Sequence, residues 1–218
     1  VPWPSLLTAM VTAAVTTAAT PWVLRRLPRP PEAPDYPALA TPRLLVAVGA
    51  LTLVVTGLVT CLTPVAHWLA WASLAVVNVW AVVIDARTTW LPAALSRIGW
   101  GVAAVGVATA ALVRGELGPV GAAALGAVTV GGFFHALWAW TRQVGYGDVR
   151  LAATIGAVAA LEGGATLTAA AVLAGTCAGA VWGLAHRAGR HTGPFPYGPG
   201  LWSGPFLALV WWAVSGAL

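Results

Sequence analysis

The sequence predicts an all-α, polytopic bundle of about eight membrane-spanning helices with its N-terminus outside. Three observations lead there. Only 8% of the 218 residues are charged and 59% are hydrophobic, whereas a soluble domain carries about 25% charged residues. The apolar residues come in long uncharged runs, and a helix needs about 20 of them to cross a bilayer. The arginines, finally, fall on one side of those runs. Inside lipid the backbone must satisfy its own hydrogen bonds, which leaves helices or a closed barrel. Barrel strands take only about 10 residues each, so runs this continuous are helices.

Eight apolar segments follow one another: Val1–Leu24, Leu44–Leu62, Val65–Ile84, Leu91–Val113, Pro119–Trp140, Val149–Leu161, Gly163–Ala185 and Pro199–Leu218. The first lacks a basic n-region, and arginines follow it rather than precede it. It reads as a retained helix that starts outside. Residues 25–43 are Pro-rich and polar, a loop between the first two segments. The sixth segment is short for a crossing and closes at Glu162-Gly163-Gly164. It either borrows length from the preceding loop or crosses a thinned region. With the N-terminus outside, the inner loops are 25–43, 85–97, 141–150 and 186–198. They hold Arg25, Arg26, Arg29, Arg43, Arg87, Arg97, Arg142, Arg150, Arg187 and Arg190, and only Arg114 lies outside. Ten of eleven arginines on one face is what the positive-inside rule asks for. Most tryptophans, Trp3, Trp22, Trp68, Trp90, Trp138, Trp140 and Trp202 among them, fall near segment ends and read as an interfacial belt. The whole of 1–218 is one membrane domain.

The net charge of +5 contains no lysine. It reads as topology, because nucleic-acid binding needs a basic cluster outside the membrane. Cys61 and Cys177 sit inside apolar runs with no CxxC spacing and no histidine partner. Neither a disulfide nor a metal site is expected, and no cofactor.

The six acidic residues are Glu32, Asp35, Asp85, Glu116, Asp148 and Glu162. Glu32 and Asp35 fall in the first inner loop, Glu116 and Glu162 in short outer loops. Asp85 ends the third apolar run and Asp148 opens the sixth, both at the inner boundary of the membrane. Two carboxyls at one depth can form an aspartic dyad. Like charges held close do not both ionise cheaply, so the pair shares a proton. The ionised member activates a water and the protonated member donates to a scissile carbonyl. A plainer reading is open at this point: Asp148 as an N-cap, and Asp85 as a helix-end residue beside Arg87. Gly145 and Gly147 allow a tight turn or close approach just before Asp148.

These residues carry a resemblance. Gly145-Tyr146-Gly147-Asp148-Val149-Arg150-Leu151 resembles the GxGDxKL motif of type IV prepilin peptidases. Asp85-Ala86-Arg87-Thr88-Thr89-Trp90-Leu91-Pro92 resembles that family's first aspartate motif, and Pro196-Tyr197-Gly198-Pro199 its Pro-aromatic-Gly segment before the last helix. The resemblance spans roughly residue 65 to the C-terminus. It implies a membrane aspartic endopeptidase of the bacterial inner membrane that removes a short basic leader from prepilins or pseudopilins at the cytoplasmic face. Asp85 and Asp148 would be catalytic, with Gly145, Gly147, Arg150, Pro92, Pro196 and Gly198 as supporting motif residues. The partners implied are the prepilin helix and the bilayer. Arg150 stands where Lys is usual, a change that is not neutral at a specific contact. Ala93 follows Pro92 where Asn is common. The first inner loop lacks the Cys-rich zinc segment of larger members, which argues against a second, methyl-transferring activity.

Two other functions compete for the same residues. Another GxGD intramembrane protease, of the presenilin or signal peptide peptidase type, carries Pro-Ala-Leu after the second aspartate, whereas Pro37-Ala38-Leu39 precedes both here. A small ion-coupled transporter would use His67, Asn78 or His135, none of which the sequence pairs with a carboxylate at the membrane centre.

Overall fold

A computed structural model describes residues 3–189 and 195–216. The described residues form seven helices and no strand. α1 (Trp3–Arg26) runs into a Pro-rich strap, residues 27–41, with one 3-10 turn at Pro37–Leu39. Thr41 caps α2 (Pro42–Leu62), accepting the Leu44 N–H at 3.4 Å, and Pro42 takes a first-turn position whose N–H needs no helical partner. α3 (Val65–Thr88) begins as a 3-10 turn and widens into a π turn at Ser73–Val77. The buried Asn78 amide donates to the Ser73 carbonyl at 2.7 Å and so holds the widened turn. Four further helices are α4 (Ala93–Arg114), α5 (Gly118–Thr141), α6 (Tyr146–Ala188) and α7 (Gly198–Val214). All but α7 are long and apolar enough to cross a membrane, which makes the chain a multi-pass membrane protein.

α6 is not one rod. Its 43 residues would extend about 65 Å, twice the ~30 Å hydrocarbon core. Gly163 and Gly164 leave the helical conformation, Gly164 at φ 59° and ψ −147°, a region open essentially to glycine. The chain reverses there. Gly147 in the first limb abuts Leu91, Gly198 abuts the same Leu91, and Gly179 in the second limb abuts Tyr197 beside Gly198. Residues 147 and 179 therefore share one end of the bundle, and the break lies at the other. The expected sixth and seventh segments are two limbs of one interrupted helix, so eight expected segments become seven helices. Glu162, expected in an outer loop, is instead helical with a side chain only 6% exposed.

Close approaches show neighbours running antiparallel: Ser5 bonds the Thr60 carbonyl, Gly106 meets Ala70 and Gly204 meets Ala171. Gly126 of α5 and Gly156 of α6 meet backbone to backbone, where a Cβ on either would fall on the other's carbonyl oxygen. α3 is the central helix. Of its most apolar stretch 72% is buried, against at most 39% in any other spanning helix. It is enclosed by α2, α4, α6 and α7.

Because neighbours alternate in direction, the helix ends bearing Arg25, Arg26, Arg43, Arg87, Arg97, Arg142, Arg150 and Arg187 gather at one end of the bundle. Arg114 lies at the other end, and Arg190 lies outside the described residues. Trp3, Trp22 and Trp140 are exposed as a belt requires, but Trp202 is only 4% exposed and donates to the Leu74 carbonyl at 2.9 Å. It is a core residue, so the belt reading fails there.

Candidate active site

The arginine-rich end of the bundle holds both aspartates singled out in the sequence. Asp85 sits in the last turns of the central helix α3, 4% exposed, and Asp148 in the first turn of α6, 6% exposed. Each carboxyl is anchored by one oxygen. Asp85 Oδ2 accepts the Gly198 N–H at 3.0 Å, and Asp148 Oδ2 accepts the Gly145 N–H at 3.1 Å. The acceptor in each case stands at a helix N-terminus, α7 for Asp85 and α6 for Asp148, where negative charge is favoured. Asp148 is therefore not the N-cap the sequence left open: Gly145 takes that position, and Asp148, three residues on, reaches back to its N–H with one oxygen. Its Oδ1 is buried with no hydrogen-bond partner among the described residues. Asp85 forms no ion pair with Arg87 among the described residues; its anchor is the start of a different helix.

The two acids line one cavity of about 480 Å³ and lie within electrostatic reach of each other. Two glycines permit this. A Cβ on Gly198 would lie 2.7 Å from Asp85 Oδ2, and one on Gly147 would lie 2.5 Å from Leu91 Cβ. Leu91 is the wedge both glycines admit, and it draws the start of α6 and the start of α7 onto the α3–α4 turn. Pro92, buried, begins α4 at the cavity wall. Arg150 also lines the cavity; its Nη2 reaches the Leu91 carbonyl at 3.4 Å, while its Nε is buried without a partner among the described residues. Pro196 is buried ahead of α7 and does not line the cavity.

Spacing alone did not single out the rest of the cavity wall. Tyr36, Trp90 and Arg97 line it, together with Pro28 and Pro30 of the strap. A lone tyrosine between Pro34 and Pro37 was the one available signal. The transporter residues have other tasks. Asn78 bonds within the π turn, and the His135 ring packs on Trp138 and Tyr146. His67 does pair with a carboxylate, Glu162 at 2.8 Å, but at the opposite end of the bundle from Asp85 and Asp148. Among the described residues no group of three His, Cys, Asp or Glu side chains is placed to hold a metal.

The chain matches no family model, no curated protein and no solved structure.

Proposed function

We propose that the chain is an aspartic endopeptidase of the prepilin peptidase type, in which Asp85 and Asp148 activate one water. The observation that carries this reading is the convergence of two buried carboxyls, 63 residues apart in sequence, on one cavity. Each is held there through the backbone of a glycine that the motif resemblance had marked. With Oδ2 fixed on each side, the remaining oxygens are left for chemistry. The ionised carboxyl takes a proton from the water as the water attacks the scissile carbonyl. The protonated carboxyl gives its proton to that carbonyl oxygen. The resulting diol collapses with proton transfer to the leaving amine.

The topology belongs to the same proposal. Counting the two limbs of α6 as separate crossings and α7 as the last gives eight, with the N-terminus outside. The arginine-rich end then faces the cytosol of a bacterial inner membrane, where a basic leader would wait. A second cavity, about 740 Å³ and almost wholly apolar, lies between α5 and the second limb of α6. It runs from Ala122 and Gly164 down to Val144 and Tyr197, neighbours of Gly145 and Gly198. A substrate helix docking there from the bilayer would bring its N-terminal junction to the two acids.

The test is co-expression with a prepilin from the same genome, with leader removal followed by mass spectrometry. Asp85→Asn and Asp148→Asn should each abolish trimming while the protein stays membrane-inserted. The double variant should be no worse than either single one, because the two act as a unit. Trimming that persists in either single variant removes that residue from the mechanism.

A further inference from the structure

The sequence reads the segment between α1 and α2 as a plain polar loop, yet its tyrosine is among the most buried side chains of the molecule. Tyr36 is 1% exposed and lines the cavity shared by Asp85 and Asp148. The strap fixes it from both sides. Pro34 and Pro37 restrict the backbone, the Leu39 N–H donates to the Tyr36 carbonyl at 3.0 Å, and Arg29 pairs with Asp35 at 3.1 Å across the outer surface. The Trp90 side chain lies beside the phenol. An indole N–H only donates, so Trp90 can approach the phenol oxygen but cannot accept its hydrogen, and the hydroxyl has no acceptor among the described residues.

A buried hydroxyl without a partner costs free energy, so it calls for an explanation. Five buried side-chain polar atoms lack partners among the described residues, and three belong to residues lining this cavity: Tyr36 Oη, Asp148 Oδ1 and Arg150 Nε. The other two are hydroxyls of Thr52 and Thr56 on α2. Asp148 Oδ1 has a use in the proposed reaction. Tyr36 Oη and Arg150 Nε are then two donor groups on residues of the cavity wall with no acceptor among the described residues. Burial raises the pKa of the Tyr36 phenol, against a smaller opposing contribution from Trp90, so the hydroxyl keeps its proton at any working pH.

What would such donors meet? The basic side chains of a leader accept no hydrogen bond, and the carbonyls of a substrate's apolar helix are already bonded within that helix. The free acceptors belong to the extended backbone between the two. We propose that Tyr36 is a substrate-binding residue, its hydroxyl donating to a backbone carbonyl of the extended leader segment where that segment passes under the strap. The proposal rests on the peptidase reading of the two aspartates.

The test uses the full-length protein in detergent and a synthetic peptide of basic leader, glycine and apolar helix. Tyr36→Phe removes the hydroxyl and keeps the ring. KM should rise about 5–10-fold, the worth of one neutral hydrogen bond, with kcat within about twofold. Binding of the labelled peptide to Asp85→Asn should weaken by the same factor when Tyr36→Phe is added. Thermal stability should change little, since the hydroxyl hydrogen has no acceptor in the free protein. Cleavage with unchanged KM in Tyr36→Phe would overturn the assignment of Tyr36 and leave the dyad standing. A parallel loss of stability and activity would overturn it too, by making the hydroxyl structural. Failure of the wild-type protein to cut, or full cleavage by Asp85→Asn, would overturn the peptidase reading itself.

Discussion

In the proposed reaction each aspartate divides its two oxygens between structure and chemistry, and the division is open to test at the level of single atoms. Asp148 Oδ2 holds the Gly145 N–H at 3.1 Å while Oδ1 has no partner among the described residues. Asparagine at this position keeps an acceptor for Gly145 but cannot carry a proton to or from water. Alanine loses both. Asp148→Asn and Asp148→Ala should therefore be equally inactive, yet differ in stability by about 0.5–1.5 kcal/mol in favour of Asn, the worth of the one hydrogen bond that the N3 side chain returns to the N-cap N–H. Thermal denaturation in detergent reads that difference. Two variants melting together would show that this bond contributes nothing and that Asp148 is held by packing alone. The residue stands out in the sequence because a Gly-x-Gly-Asp turn at a segment start is a local pattern. Which oxygen does which task was not legible, since it depends on how Leu91, 57 residues earlier, wedges against Gly147.

At the scale of elements, the break in α6 is matched by a polar clasp that fastens it. Glu162 Oε2 meets His67 Nδ1 at 2.8 Å and the Trp71 indole N–H at 2.9 Å. His67 Nε2 in turn meets an Arg114 guanidinium nitrogen at 2.8 Å. A guanidinium only donates, so Nε2 accepts and the Nδ1 hydrogen is aimed at Glu162. The clasp ties α3, the end of α4 and the reversal of α6 together at the end away from the aspartates. It also explains the single arginine that the charge pattern left on the wrong side: Arg114 is engaged by the fold. Glu162→Ala leaves two buried donors unmatched and should lower stability by about 2–4 kcal/mol. In a double-mutant cycle with His67→Phe the losses should be clearly less than additive. Trimming at a permissive temperature should survive, because the clasp is remote from the dyad; additive losses would mean the contact carries no coupling. The glycine pair was visible in the sequence as a segment boundary. The burial of Glu162 was not, because its partner His67 lies 95 residues away and only the packing of the bundle brings the end of the first limb of α6 against the start of α3.

For the molecule as a whole, the arginines and the fold point to the same end from independent directions. The sequence counted alternating segments and placed ten arginines on one side. The close approaches between helices gather the described members of that set at the end that holds Asp85, Asp148 and their cavity, a grouping that does not rest on any assumption about a membrane. The helices were legible because lipid demands unbroken apolar runs, a signal carried by each segment on its own. The strap was not legible: proline and charge mark a loop, but nothing local says that Tyr36 turns inward over a cavity built from α3, α4 and α6. A chemical label tests which end faces the cytosol. Glu32 in the strap and Glu116 between α4 and α5 are both exposed and lie at opposite ends of the bundle. In a chain whose exposed Cys61 and Cys177 are replaced by alanine, Glu116→Cys should react with a membrane-impermeant maleimide on intact cells. Glu32→Cys should react only after the membrane is opened. The reverse pattern would put the two aspartates on the outer face. A basic leader retained in the cytosol could not reach them there, and the peptidase reading would fail even though the cavity and its acids remained as described.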